Sequence, residues 1–252
     1  MKRLGIVLGV LLVCSVNVRA YTLYWFTGAG IKKPAERIAK MYNRQHKNRV
    51  IVIAGGSGQV LNQMLEAKKG DIYTLVDSLF LHRAIRHNIV VRYRKILKLT
   101  PVFVVSKESR ERIKTIFDLA RANVKIAGGD KRAMCLGETF DEIMGKLPHR
   151  LASALQRNIV VRCLNVYQIV SYVQEGVVDA GIVLDKALIR STHLPYIEIP
   201  EKYNVHRYGY LALIAYSRHK NAAENLYRFI VSHLDVYKNF GFNVLKSHDK
   251  IP

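Results

Sequence analysis

Strand-like runs and amphipathic helical stretches alternate along this chain, with glycine-bearing loops at the joints, and this alternation constrains the fold more than any other feature. Thr22 to Phe26 is a short strand-like run. Ile31, Ala35, Ile38, Ala39 and Tyr42 then recur at helical spacing, with Lys32, Lys33, Glu36, Arg37 and Lys40 on the opposite face. Pro34 falls in the first turn of that helix, where its missing N–H does little harm. The unit repeats: Val50 to Ile53 is continuous and β-branched, Gly55-Gly56-Ser57-Gly58 interrupts it, and Val60, Leu61, Met64 and Leu65 resume the helical period. A third strand is expected from Asp71 to Val76 and a helix from Asp77 to Arg86. Such alternation predicts an α/β fold of mostly parallel sheets covered by helices.

At Leu99-Thr100-Pro101 the pattern changes and a second series begins, with strands expected at Val102 to Val105, Val124 to Ala127, Ile159 to Cys163 and Asp179 to Leu184. Another boundary falls near Pro195 to Pro200. Tyr208 to Ser217 follows as a strand, and Ala223, Leu226, Phe229 and Ile230 mark the buried face of a late helix. The chain thus divides into a first lobe of residues 21–98 with 201–252 and a second of 99–200, joined by two crossovers. Each lobe is of ordinary domain size. No repeat of fixed period and no low-complexity segment interrupts the pattern.

The N-terminus carries an export signature. Lys2 and Arg3 form a positive start, Leu4 to Val16 is nearly all apolar, and Val18-Arg19-Ala20 offers small residues for cleavage, so residues 1–20 are expected to be removed. The apolar run is too short for a comfortable membrane span. Lipidation at Cys14 is disfavoured because Val13 is bulky where a lipid-attachment signal wants a small residue. A periplasmic or other extracytoplasmic location follows. The formal charge is +21, and losing Lys2, Arg3 and Arg19 leaves +18, which favours anionic partners. Nucleic acid is not expected: the cations run along the whole chain instead of forming an Arg-rich tail or one helical stripe, and nucleic-acid motifs are missing. After export Cys135 and Cys163 remain, and they could pair or stay as buried thiols. The nine histidines form no close metal-binding spacing, so neither metal nor cofactor is expected.

Four turns between a strand end and a helix start could carry chemistry: Thr27 to Gly30, Gly55 to Gln59, Met134 to Gly137, and Asn165 to Gln168. Helix N-termini present unpaired N–H groups and partial positive charge, and glycine lets a ligand approach the backbone. Each loop alone could equally be connection chemistry, with Gly30 and Ser57 capping helices. Their convergence would make an anion site, in which Ser57 is the strongest side-chain donor. Enzyme motifs fail: Gln59 stands where a nucleophile elbow needs glycine, and no P-loop tripeptide occurs. Asp71, Asp77, Asp130, Asp179 and Asp185 fit strand ends and helix caps better than acid/base pairs.

These loops, in this order, resemble those of the periplasmic molybdate/tungstate-binding proteins, a branch of the type 2 periplasmic binding fold. Phe26 to Pro34 is similar to the family's first ligand loop and helix. Gly55 to Leu61, followed by Lys69 to Tyr73, resembles the second loop and the strand after it. Ile126 to Asp130 leading to Cys135-Leu136-Gly137-Glu138 matches the loop of the other lobe, and Asn165-Val166 with Glu175 to Val183 matches the late loop and strand. Phe229 to Ser232 and Phe240 to Phe242 resemble the closing helices. The resemblance implies two lobes closing on a small tetrahedral oxyanion, molybdate or tungstate first and sulfate next. Ligand contacts would fall at Ala29, Gly30, Ser57, Gly58, Cys135, Leu136 and Val166. It also implies a monomer that delivers its ligand to an ABC permease and its ATPase. Two positions depart from the pattern: many relatives have Ser where Gly30 stands and Tyr where Leu184 stands. Two other classes stay open: a ligand sensor for a membrane receptor or kinase, and an exported hydrolase built on Ser57 or the aspartates.

Overall fold

The computed structural model describes residues 20–252. The export signature and Cys14 lie outside the described residues. Strands and helices follow the alternation closely at first: β1 (Thr22–Gly28), α1 (Lys32–Gln45), β2 (Arg49–Gly55), α2 (Ser57–Ala67), β3 (Ile72–Val76), α3 (Ser78–Arg86) and then β4 (Val90–Leu99). The second series runs β5 (Val102–Val105), β6 (Ile126–Gly129), α4 (Leu136–Lys146), α5 (His149–Arg157), β7 (Ile159–Cys163), α6 (Val166–Gln174), β8 (Ala180–Val183) and β9 (Tyr196–Glu198). The chain ends with β10 (Arg207–Ile214), α7 (Lys220–Ser232), α8 (Asp235–Asn239) and β11 (Asn243–Val244).

Two mixed sheets, flanked by helices, hold these strands. One has six strands in the order β11-β4-β10-β3-β1-β2, and the other has five in the order β7-β6-β8-β5-β9. The chain therefore passes between sheets twice, after Leu99 and after Glu198. The pairings β1/β2, β1/β3, β6/β7 and β6/β8 are parallel. The rest are antiparallel, so the sheets are less parallel than the alternation alone predicts. The reason is local: β10 returns between β3 and β4, and β5 enters between β8 and β9, each against its neighbours' direction.

The helical period places its apolar stripe as physics requires. Ala35, Ile38, Ala39 and Tyr42 of α1 are buried, as are Val60, Leu61 and Met64 of α2. All five residues of β3 are buried, which explains why it is apolar at all but one position. Its one polar member is satisfied: Thr74 Oγ1 accepts from Trp25 Nε1 at 2.9 Å and donates to Thr27 Oγ1 at 2.7 Å. β4 escapes the sequence pattern. Its ten residues mix Arg92, Arg94, Lys95 and Lys98 with apolar positions, and the arginines fold onto Glu224 and Asp249 instead of spoiling the strand.

Candidate functional site

The parallel strands deliver their following helices to one place. α1 is entered through a 3-10 turn at Ala29–Ile31, α2 follows Gly56, α4 follows Cys135 and α6 follows Asn165. Ser57 is thus the first residue of α2, with Gly56 as its cap. The first intrahelical bond of α2 is Val60 N–H to Gly56 carbonyl at 3.0 Å, so the amides of Ser57, Gly58 and Gln59 precede the helical ladder. In α4 the corresponding bond is Thr139 N–H to Cys135 carbonyl at 2.9 Å. The Asn165 side chain caps α6 by accepting from Gln168 N–H at 3.1 Å, ahead of which lie the amides of Val166 and Tyr167.

Between these helix ends lies a small, partly open cavity. Of the seven expected contact residues, Ala29, Gly30, Ser57, Cys135, Leu136 and Val166 all form its wall. Gly58 does not: a side chain there would meet the Arg132 carbonyl and the Phe80 ring. Val76, Leu99, Met134, Leu184 and Leu188 also line it, and the wall contains no Asp, Glu, Lys or Arg. The space in which a water centre can sit is about 30 Å³. A larger groove of about 580 Å³ shares Gly30, Val166 and Leu188 with it and opens outward past Lys33, Tyr167 and Arg190.

The two sheet-bearing bodies are drawn together around this cavity. Tyr167 Oη donates to the Ala29 carbonyl at 2.7 Å, and Lys33 Nζ donates to Ser191 Oγ at 3.0 Å. Gly56 has no room for a side chain, since a Cβ would lie 2.6 Å from the Ala133 carbonyl oxygen and 2.9 Å from that of Leu164. Gly30 is similarly filled, by Leu188, whose Cδ2 would sit 2.9 Å from an added Cβ. Behind the wall, Arg207 of β10 reaches Asp77 (3.1 Å) on its own body and, on α4, Thr139 (2.8 Å) and Glu142 (2.6 Å). Asp77 caps α3, accepting from Leu79 N–H at 2.8 Å, with φ at +105°, a conformation uncommon for a non-glycine residue.

The electrostatics of the wall are those of neutral groups. Burial, with the nearby Asp77 charge, pushes the Cys135 thiol well above its usual range. Cys135 and Cys163 are both free thiols. Glu138, in the first turn of α4 but off the wall, has its carboxyl raised by burial and then by the charge of Asp77. Among the described residues, no group of three or more His, Cys, Asp or Glu is placed to hold a metal ion. Sequence reasoning missed Leu188, and although it singled out the Asn165 to Gln168 loop it gave Tyr167 no bond across the cleft.

Known proteins share this architecture. A family model described as bacterial extracellular solute-binding protein matches residues 23–236. A Haemophilus influenzae binding protein is 31% identical over 183 residues, 73% of this chain and 74% of that protein. The periplasmic molybdate-binding protein of Azotobacter vinelandii superposes with a TM-score of 0.72 at 17% identity, covering 89% of this chain and 100% of its own. The sulfate-binding protein of Mycobacterium tuberculosis reaches a TM-score of 0.78 at 14% identity, covering 90% of this chain and 88% of its own.

Proposed function

The chain belongs to the bacterial extracellular solute-binding proteins, and we propose that within that family it captures a small, fully ionised tetrahedral oxyanion for an ABC importer. Molybdate and tungstate are the first candidates and sulfate the next, in line with what two of its structural neighbours are named for. The supporting observation is the cavity: small, and faced by the starts of several helices without a charged side chain on its wall. A sphere holding the water-centre volume has a radius of about 1.9 Å; adding a water radius of about 1.4 Å gives roughly 3.3 Å, the size of a tetrahedral oxyanion.

The binding chemistry follows from the wall. Helix amides and the Ser57 hydroxyl donate hydrogen bonds to the anion, and the helix dipoles supply diffuse positive potential, so no lysine or arginine need be buried. The wall has no carboxylate to accept a proton, which disfavours anions that carry one at neutral pH, such as phosphate. With Leu188 in the space beside Gly30, and Leu184 on the wall, fewer hydroxyl donors are available than in many relatives, so backbone donors carry more of the recognition.

The lobes are assigned to residues 21–98 with 201–252 and to residues 99–200, closing by hinge motion at the two crossovers. The mature chain begins at Tyr21, acts as a monomer, and hands its anion to the permease. Thermal unfolding with and without millimolar molybdate, tungstate, sulfate or phosphate tests the reading. Molybdate or tungstate is expected to raise the midpoint by several degrees, sulfate by less and phosphate least. No rise with any of them would remove the anion claim.

A further inference from the structure

The charge that looks evenly spread along the sequence is not evenly spread in space. Residues 21–98 with 201–252 hold 23 lysines and arginines against 8 acids, whereas residues 99–200 hold 14 against 11. Net charges of +15 and +3 follow. The first body is built from two separated chain segments with the second inserted between them, so sequence order hides the contrast.

Its most concentrated feature is a stripe on α1. Lys33, Arg37, Lys40 and Arg44 recur at spacings of four, three and four, Lys47 follows just beyond the end of the helix, and all five are exposed. At this spacing side chains share one face of a helix. The helix is about 20 Å long at 1.5 Å per residue. The only acid among its exposed residues, Glu36, lies 3.4 Å from Lys32. Lys33 is engaged across the cleft with Ser191, but Arg37, Lys40, Arg44 and Lys47 form no ion pair with any described residue. Arg49, exposed at the start of β2, extends the positive surface. By contrast α4 of the other body shows Glu138, Asp141 and Glu142.

We propose that this face of α1 adsorbs the protein to an anionic lipid surface. The stripe matches a sheet of phosphate headgroups in sign, and it is long enough to contact several of them. The apolar residues of α1 are buried in the core or, at Met41, packed against it, so adhesion is electrostatic and steeply salt-dependent. Adsorption would hold an extracytoplasmic binding protein near the membrane in which an importer sits. The ligand cavity is uncharged and takes no part, so this inference does not depend on the identity of the anion.

The test is co-sedimentation of the exported protein with phosphatidylcholine vesicles, with and without about three-tenths phosphatidylglycerol. Two variants each remove four charges: Arg37→Gln, Lys40→Gln, Arg44→Gln, Lys47→Gln on the stripe, and Lys107→Gln, Lys125→Gln, Arg150→Gln, Arg157→Gln on the second body. All eight side chains are exposed. At about 0.05 M salt the native protein is expected to bind anionic but not neutral vesicles, weakening at least tenfold by about 0.15 M. The stripe variant should bind at least tenfold more weakly than native, the control variant less than threefold. Equal weakening by both variants, or no native binding to anionic vesicles, overturns the proposal; so does native binding to duplex DNA without binding to vesicles. Circular dichroism melting of both variants checks that folding is retained.

Discussion

The body carrying the six-stranded sheet and the one carrying the five-stranded sheet use the same device: parallel strands that release helices toward a shared cavity. They furnish it differently. The first body contributes turns of small residues, Ala29, Gly30, Gly55 and Gly56, with Ser57 as the lone hydroxyl and Ile31, Val76 and Leu99 behind them. The second contributes bulk, through Met134, Leu136, Val166, Leu184 and Leu188. One surface is hollowed and the other fills it, so closure depends on their matching shape. Neither brings a charge to the wall, although the first body holds most of the net charge of the molecule. Ligand capture and the basic surface are therefore separate properties.

Arg207 is where the two bodies share an ionic contact, and breaking it should have the largest effect. Its side chain is 13% exposed and links Asp77 to Thr139 and Glu142. Arg207→Met leaves Asp77 buried and unpaired, and a loss of about 3 kcal/mol in urea denaturation is expected. Glu142→Gln removes the other end of the bridge, where the carboxylate is 52% exposed. It should cost less than about 1 kcal/mol, because solvent screens it. Equal losses would mean that Arg207 serves the contact between bodies more than the burial of Asp77.

The hollow-and-fill arrangement is broken at Gly56. A methyl group there collides with two carbonyl oxygens of the opposite body, whereas its own backbone, at φ −58°, tolerates alanine. Gly56→Ala should therefore weaken anion binding by about a hundredfold, or roughly 2.7 kcal/mol, by titration calorimetry. The unliganded protein should melt as before. Gly137→Ala is the counterpart inside one body: its methyl would lie 2.7 Å from Lys131 N. That variant should lower the melting temperature of the unliganded protein as well.

How much of this was legible in the sequence follows the same division. Helical period and glycine loops placed α1, α2 and the turns of the first body, because those depend on local rules. Six of the seven contact residues that the family resemblance implied line one cavity, three from each body. Gly58 does not, since a helix turns its second residue away from the face that its first residue lines. Leu188 and Tyr167 were illegible because their roles exist only across the cleft: one occupies the space beside Gly30, the other bonds to Ala29. β4 was hidden by its arginines, whose partners Glu224 and Asp249 lie more than a hundred residues away.

Ser57 sharpens the contrast between hydroxyl and backbone recognition. It is 4% exposed and faces the cavity. Ser57→Ala removes one neutral donor while leaving the helix amides, so affinity for the best anion should fall about tenfold, or roughly 1.4 kcal/mol. A loss beyond about a thousandfold would show that the hydroxyl, and not the amide array, dominates.

The smallest effect separates the bodies by pH. In the first, a hydrogen bond from Arg92 holds the Glu224 carboxyl below the usual range, with Arg228 adding to it. A depressed folded pKa gives stability that is present above the unfolded value and lost as pH falls through the folded one. Glu224→Gln should cost about 1 kcal/mol at neutral pH, and the difference from native should shrink as the pH falls through the acid range. In the second body Glu138 is shifted the other way, by burial and then by the charge of Asp77. Its contribution is present below the unfolded pKa and declines as pH rises through the raised folded value. Glu138→Gln should thus be slightly more stable than native at neutral pH, by less than about 1 kcal/mol. Urea denaturation of both variants between acid and neutral pH should give curves of opposite slope relative to native. Parallel curves would mean that the two carboxylates sense a common field, and that the contrast in charge between the bodies does not reach their interiors.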